Sequence, residues 1–314
     1  MSEYILDIQD LSKSYGKKIA LSNFNLKLKK GDLFGLIGPN GAGKTTTFKI
    51  ISTIMKPTSG KVLIEGMDIT VRKNIPKIRK SIAYMPDSFG VYEDMRVEEY
   101  LNFFAAAYDI VGDKRKDLVN DVLELVDLDV KRSSLVNSLS LGMQQRLGLA
   151  RVLIHDPNLL ILDEPASGLD PRARVEIRSL LMELQKMGKT IIISSHILAD
   201  LGEICNRVGI IEQGNLLVDG SISDVLASVK PSPIIYVKVA ENSANAIQLL
   251  SEEDYIVDSH LESDSIVLTV KENFDESWRI SQLLIENGYK LNYLQAEAKS
   301  LEHAFMELTE GKVS

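Results

Sequence analysis

The sequence predicts an α/β fold on a mainly parallel sheet covered on both faces, followed by a smaller α+β domain. Three observations predict it. Short runs that are wholly or mainly apolar, Leu33 to Ile37, Leu159 to Leu162 and Thr190 to Ser194, read as strands buried on both faces. Helical patterns separate them, and strands alternating with helices imply parallel crossovers. Composition then shifts after about Val229, and Pro231-Ser232-Pro233 marks a boundary, dividing the chain into 1–229 and 230–314.

The elements follow in order. Ile5 to Ile8 and Leu26 to Leu28 read as short strands, and Lys30-Gly31-Asp32 turns into the buried strand from Leu33. A glycine-rich loop and a helix from Lys44 to about Ile54 come next. Pro57 to Gly60 ends that helix, and Glu65-Gly66 joins a hairpin of Lys61 to Ile64 with Met67 to Ile69. Ile82 to Met85 is a further strand. Val97 to Tyr108 and Lys116 to Leu128 form a helical insert. Asp170-Pro171 opens a helix, with aspartate as N-cap and proline in the first turn, and Gly188 closes it. Another helix follows from about Ile197. Beyond the boundary the order is strand (Ile234 to Val239), helix (Ala244 to Ser251), strands (Tyr255 to His260, Ser265 to Val270), helix (Ser277 to Asn287), strand (Leu291 to Ala296) and helix (Leu301 to Leu308). That order predicts a ferredoxin-like domain.

Bulk properties narrow the functions. The chain has 314 residues and a formal net charge of -8, which argues against binding nucleic acid through its phosphates. Its one cysteine, Cys205, excludes an intrachain disulfide and a four-cysteine zinc site, and its apolar surroundings read as packing. No secretory leader is expected in Met1 to Gln9, and no apolar run is long enough to span a bilayer.

The chemistry concentrates in two places. Gly38-Pro39-Asn40-Gly41-Ala42-Gly43-Lys44-Thr45 fits the phosphate-loop pattern between a buried strand and a helix. Its glycines bring backbone N–H groups to the phosphates, and the helix N-terminus adds partial positive charge. Lys44 is expected at the β- and γ-phosphates, the Thr45 hydroxyl on Mg2+, and Thr46 on a phosphate. The second place is Asp163-Glu164, at the end of an apolar strand, where α/β sheets bind their ligands. Asp163 is expected to face the metal. Glu164 is expected to reach the attacking water and take or orient its proton.

Further segments carry a resemblance. Leu139-Ser140-Leu141-Gly142-Met143-Gln144-Gln145-Arg146 resembles the signature of ATP-binding cassette (ABC) ATPases. Asp163-Glu164-Pro165, Ser167-Gly168-Leu169-Asp170, His196 after a strand, and Tyr15 in Ser14-Tyr15-Gly16 are similar to that family in order and spacing. The resemblance covers about residues 4 to 222. It implies a P-loop NTPase cassette with an antiparallel β subdomain and a helical subdomain. It also implies ATP and Mg2+ as ligands and an ATP site shared between two cassettes, the chain pairing with itself or with a homologue. Ser140 and Gly142 of one cassette would face the γ-phosphate held by the other, Tyr15 would stack on adenine, and His196 would contact the γ-phosphate and steady Glu164. Two positions depart from the pattern. Asp87, in Tyr84-Met85-Pro86-Asp87, and Met143 both stand where glutamine is usual. Asp87 is expected near the metal with altered reach, and Met143 is expected to pack. His155, His260 and His303 belong to no motif and read as structural.

The same resemblance implies a partner. One cassette without long heptads is unlike the ribosomal and chromosomal members, and a P-loop GTPase or small-molecule kinase would not explain the signature or His196. The stretch Phe89-Gly90-Val91-Tyr92-Glu93 and the end Leu301 to Leu308 are similar to cassettes of bacterial drug and antibiotic exporters. Sugar importers tend instead to append β-barrels. The resemblance therefore implies export through a transmembrane permease on a separate chain, with this chain on the inner face of the membrane.

Overall fold

Side-chain alternation builds the first layer. The chain opens with β1 (Tyr4–Tyr15) and β2 (Lys18–Lys29). In β2, Phe24, Leu26 and Leu28 are buried while Asn25, Lys27 and Lys29 are exposed, the period-two pattern of a half-buried strand. The computed structural model describes residues 3–88, 90–228, 234–271, 274, 276–296 and 301–309. Phe89, the expected boundary at Val229 with Pro231-Ser232-Pro233, and the side chain of His303 lie outside the described residues.

Both opening strands run further than the short apolar runs predict. Asp10 and Asn23 adopt positive φ (both 47°), and the β1–β2 register shifts between Ile8 and Leu11. These irregularities interrupt the alternation that marks a strand in sequence. The strand β3 (Leu33–Ile37) is buried at every residue and leads through the glycine loop into α1 (Lys44–Ile51). That helix stops at Ile51, earlier than expected, where Thr53 turns to φ 60°. The hairpin of β4 (Ser59–Ile64) and β5 (Met67–Asp68) turns on Glu65-Gly66, both at positive φ. It joins the first sheet in the order β2-β1-β4-β5.

Next come α2 (Ile75–Ser81), β6 (Ile82–Met85), α3 (Val97–Ala107) and α4 (Gly112–Leu125). The helix α5 (Leu141–Leu153) leads into β7 (Leu159–Asp163), and α6 (Pro171–Lys186) into β8 (Thr190–Ser194). As expected, the Asp170 side chain caps α6, and Gly188 follows its end at φ 88°. The helix α7 (Leu198–Ile204), the hairpin of β9 (Arg207–Glu212) and β10 (Asn215–Ser221), and α8 (Ile222–Ala227) complete this part. The second sheet runs β10-β9-β3-β8-β7-β6, parallel from β9 to β6 with β10 antiparallel at the edge. The strands β3, β8 and β7 are neighbours in it. Their carboxyl ends bring together the glycine loop, the residues after Ser194, and Asp163-Glu164.

The remaining elements are β11 (Ile234–Val239), α9 (Ser243–Ser251), β12 (Ile256–Glu262), β13 (Ser265–Val270), α10 (Ser277–Glu286), β14 (Leu291–Ala296) and α11 (Leu301–Leu308). Their sheet runs β12-β13-β11-β14, antiparallel throughout. Placing β13 between β11 and β12 gives the ferredoxin-like split βαβ arrangement. By contacts the chain divides into two compact units, Met1–Val225 with Phe305–Ser314, and Leu226–Ala304. The second has its own core, in which Val237, Leu250, Leu268 and Leu284 are fully buried.

Candidate functional site

The loop between β3 and α1 is fixed by close backbone packing. Gly43 sits at φ 113°, and a Cβ there would lie 2.7 Å from the Ala20 carbonyl oxygen. A Cβ on Gly38 would lie 2.3 Å from the Ile211 carbonyl oxygen. Glycine is required at both positions for steric reasons. Lys44, the first residue of α1, is buried to 7% exposure. Its Nζ donates to the carbonyls of Gly38 at 2.6 Å and Pro39 at 3.2 Å, inside the ring of the loop. Burial pushes the ammonium pKa down, and the Glu164 and Asp163 carboxylates oppose that shift.

Asp163 ends β7 opposite Ser194 at the end of β8, a pairing set by the parallel register. The Ser194 Oγ donates to Asp163 Oδ1 at 2.7 Å and accepts the Glu164 backbone N–H at 3.0 Å. One hydroxyl thus holds both acids. Asp163 is 1% exposed, and its Oδ2 is buried without a hydrogen bond. Burial raises the carboxyl pKa; the Ser194 and Thr45 hydroxyls counter it, and the Asp87 and Glu164 carboxylates add to it. A buried, unpartnered carboxylate oxygen beside a threonine hydroxyl suits a hard cation. The set fits Mg2+, which takes one or two protein oxygens and fills its octahedron from phosphates and water. Among the described residues no group of three or more His, Cys, Asp or Glu could hold a metal ion.

Glu164 adopts φ 53°, a left-handed conformation rare for a side chain of its size. Its Oε2 accepts the His196 backbone N–H at 3.3 Å and lies 2.5 Å from His196 Nδ1. The carboxylate is 17% exposed and the imidazole 57%, so the pair stands at the mouth of the site.

These groups line one open pocket of about 750 Å³. It gathers Tyr15, Pro39, Asn40, Gly41, Ala42, Gly43, Lys44, Thr45, Thr46, Asp87, Asp163, Glu164 and His196, all expected from sequence, with Gly38 joined through its carbonyl to Lys44. Tyr15 is half exposed, its hydroxyl donating to Met55 Sδ at 2.8 Å. Asp87 Oδ1 accepts the Ser88 N–H at 2.7 Å. Lys18, Ala20 and Ser167 line the same pocket, and Ser194 braces it; sequence reasoning named Ser167 only within a motif, with no site role, and missed the other three. The polar Ser194-Ser195 ending an apolar strand just before His196 was the available signal.

Ser140 and Gly142 lie elsewhere. They line a second hollow of about 330 Å³ with Met143, Gly168 and Asp170, and no lining residue is common to the two. Ser140 caps α5, its Oγ accepting the Met143 N–H at 3.3 Å. Met143 therefore contributes its backbone to the turn, and its side chain is half-buried.

Comparison with known proteins accounts for this arrangement. The ABC transporter family model matches residues 21–167. The bacitracin transport ATP-binding protein BcrA of Bacillus licheniformis is 34% identical over 308 residues, 98% of each chain. The cbiO1 structure from Clostridium perfringens, part of an ABC transporter complex, superposes with a TM-score of 0.67 at 32% identity, covering 72% of this chain and 92% of that one. The dimeric structure of the bacterial cassette MJ0796 gives 0.63 at 25% identity, over 69% of this chain and 98% of that one. With a relative matched along nearly its whole length and the phosphate loop set in the cassette fold, the chain belongs to the ABC transporter family and is an ATP-binding, ATP-hydrolysing transporter subunit.

Proposed function

We propose that this chain powers export through a transmembrane permease carried on a separate polypeptide, hydrolysing Mg-ATP at sites shared by two cassettes on the inner face of the membrane. The observation that carries the hydrolytic part is the pairing of Glu164 with His196 over the pocket that holds Lys44 and Asp163. In this reading Gly38 to Thr46 cradle the phosphates, with Lys44 as the fixed cation. Tyr15 stacks on the adenine. Thr45 and Asp163, with Asp87 nearby, would hold Mg2+, which when bound would supply positive charge for the β- and γ-phosphates. Glu164 takes or orients the proton of the attacking water, and His196 keeps its carboxylate in place. Ser140 and Gly142 of the second cassette, a copy of this chain or a homologue, close on the γ-phosphate. Closure is favoured because ATP binds the closed pair more tightly than the open one.

Support for export comes from the full-length similarity to a protein named for bacitracin transport, which extends past the cassette into the C-terminal part. That part, residues 230–314, is proposed as an accessory domain supporting the dimer. Tagging the chain in its source cells and solubilising the membranes should co-purify a polytopic membrane protein in stoichiometric amount. Glu164→Gln in that complex should keep ATP binding and lose about 100-fold or more of its turnover, in line with loss of a general base. Purification with soluble partners alone would remove the exporter reading. Wild-type turnover in Glu164→Gln would remove the base assignment.

A further inference from the structure

Beyond the nucleotide site, one surface of the cassette carries an unbalanced charge. Within Arg72 to Lys80 stand five cations, Arg72, Lys73, Lys77, Arg79 and Lys80, and no acid occurs between Ile69 and Pro86, in a chain of net charge -8. All five are exposed, and none enters an ion pair among the described residues. The helix α2 turns Ile78 fully into the core, and Ile75 is half-buried on the same side. Lys77 and Lys80, three residues apart, therefore share the opposite, outward side of α2, and Lys73 stands in the 3-10 turn, Arg72–Asn74, that leads into it.

Local stability accounts for only part of that cluster. Arg79 and Lys80 in the last turn of α2 suit its dipole, but Lys77 and Lys80 repel at a spacing of three, and Arg72 and Lys73 precede a first turn that has no acidic residue. The flanking acid Asp68 is engaged by Thr70, its Oδ1 accepting both the backbone N–H and the hydroxyl. Arg79 Nε donates to Thr53 Oγ1 at 2.9 Å, which sets the basic patch beside Ile54, a 62% exposed isoleucine. Val71, 38% exposed, adjoins its other end. Clustered cations with apolar residues at the margin are the chemistry of a surface that meets phospholipid headgroups.

We infer that the Arg72–Lys80 face docks on anionic phospholipid, holding the cassette against the membrane that carries its permease. This rests on the membrane-facing role proposed above. The attraction is electrostatic, so it weakens with salt on the scale of a Debye length, about 8 Å at physiological ionic strength.

Vesicle flotation of the purified chain, without permease, tests this directly, with ATP hydrolysis read on the same sample. Binding is expected to vesicles containing phosphatidylglycerol, to be absent with pure phosphatidylcholine, and to fall as salt is raised. The triple variant K73A/K77A/K80A should bind phosphatidylglycerol vesicles about 100-fold more weakly, at about fivefold per cation. The equally exposed set K114A/K116A/K186A should bind like wild type. Equal binding to both lipids, or unchanged binding in K73A/K77A/K80A, overturns the proposal. Hydrolysis that persists without vesicle binding leaves the nucleotide site standing and removes only the lipid surface; binding without hydrolysis does the reverse.

Discussion

At the scale of single residues, the site trades folding stability for charge. Asp163 is buried, holds one hydrogen bond from Ser194 on Oδ1, and has nothing on Oδ2. Burial, the largest influence, raises its pKa above the ordinary carboxylate value. Between the unfolded and folded pKa values the native state then binds more protons than the unfolded chain, so stability falls as pH rises through that interval. Above the folded pKa the ionised Asp163 costs stability that a bound cation would return. Asp163→Asn keeps an acceptor for Ser194 and removes the charge. The ligand-free variant should therefore melt higher than wild type near pH 7.5, by roughly 2–4 °C per kcal/mol relieved. The gain should shrink as pH falls through the raised pKa and Asp163 takes up its proton, and Mg2+-dependent hydrolysis should be lost. Scanning calorimetry at both pH values checks this; an equal or lower melting temperature at pH 7.5 would show that the carboxylate is not strained.

At the scale of elements, what could be read in the sequence was what is local. The glycine loop is one contiguous pattern, and Gly38 and Gly43 are glycine for reasons confined to their neighbours. The helix α6 announces its start with Asp170-Pro171 and its end with Gly188. The bracing by Ser194 was not legible, because the bond to Asp163 spans 31 residues and depends on the register of β7 against β8. The far half of β1 and the first half of β2 were hidden by the positive-φ residues Asp10 and Asn23. The C-terminal sheet could be read best through β11, whose burial alternates residue by residue, and less through the largely exposed β12 and β14 and the largely buried β13. Its buried residues, from Ile235 to Leu284, all lie within that unit, and the rings of Tyr255 and Phe274 stack at 4.3 Å between centroids. A fragment of residues 226–304 should accordingly fold alone and melt cooperatively. Leu268→Ala, truncating a fully buried side chain, should cost it about 2–5 kcal/mol and leave little of the transition. Circular dichroism of the fragment decides; a non-cooperative melt in the parent fragment would make its core dependent on the rest of the chain.

At the scale of the whole molecule, the decisive feature is that the two hollows are separate. Lys44, Asp163 and Glu164 line one, and Ser140 and Gly142 line the other. If each site takes its phosphate loop from one cassette and its signature from another, defects in the two hollows should complement between chains. A preparation of Lys44→Ala has an intact signature on every chain but no working loop. A preparation of Gly142→Asp has the loop and lacks the signature. Each alone should be nearly inactive, because every shared site contains one defect. Mixed and allowed to exchange, half the dimers are hybrids, and each hybrid has one site with two defects and one with none. Activity should then return to about one quarter of wild type for freely exchanging two-fold dimers with independent sites. A site assembled within one chain cannot do this: every chain carries a defect, and mixing changes nothing. An inactive mixture, with hybrid dimers shown to form, would therefore place the signature outside the reaction or make the two sites obligately coupled. Recovery near one quarter would assign Gly142 to the nucleotide held by the neighbouring chain.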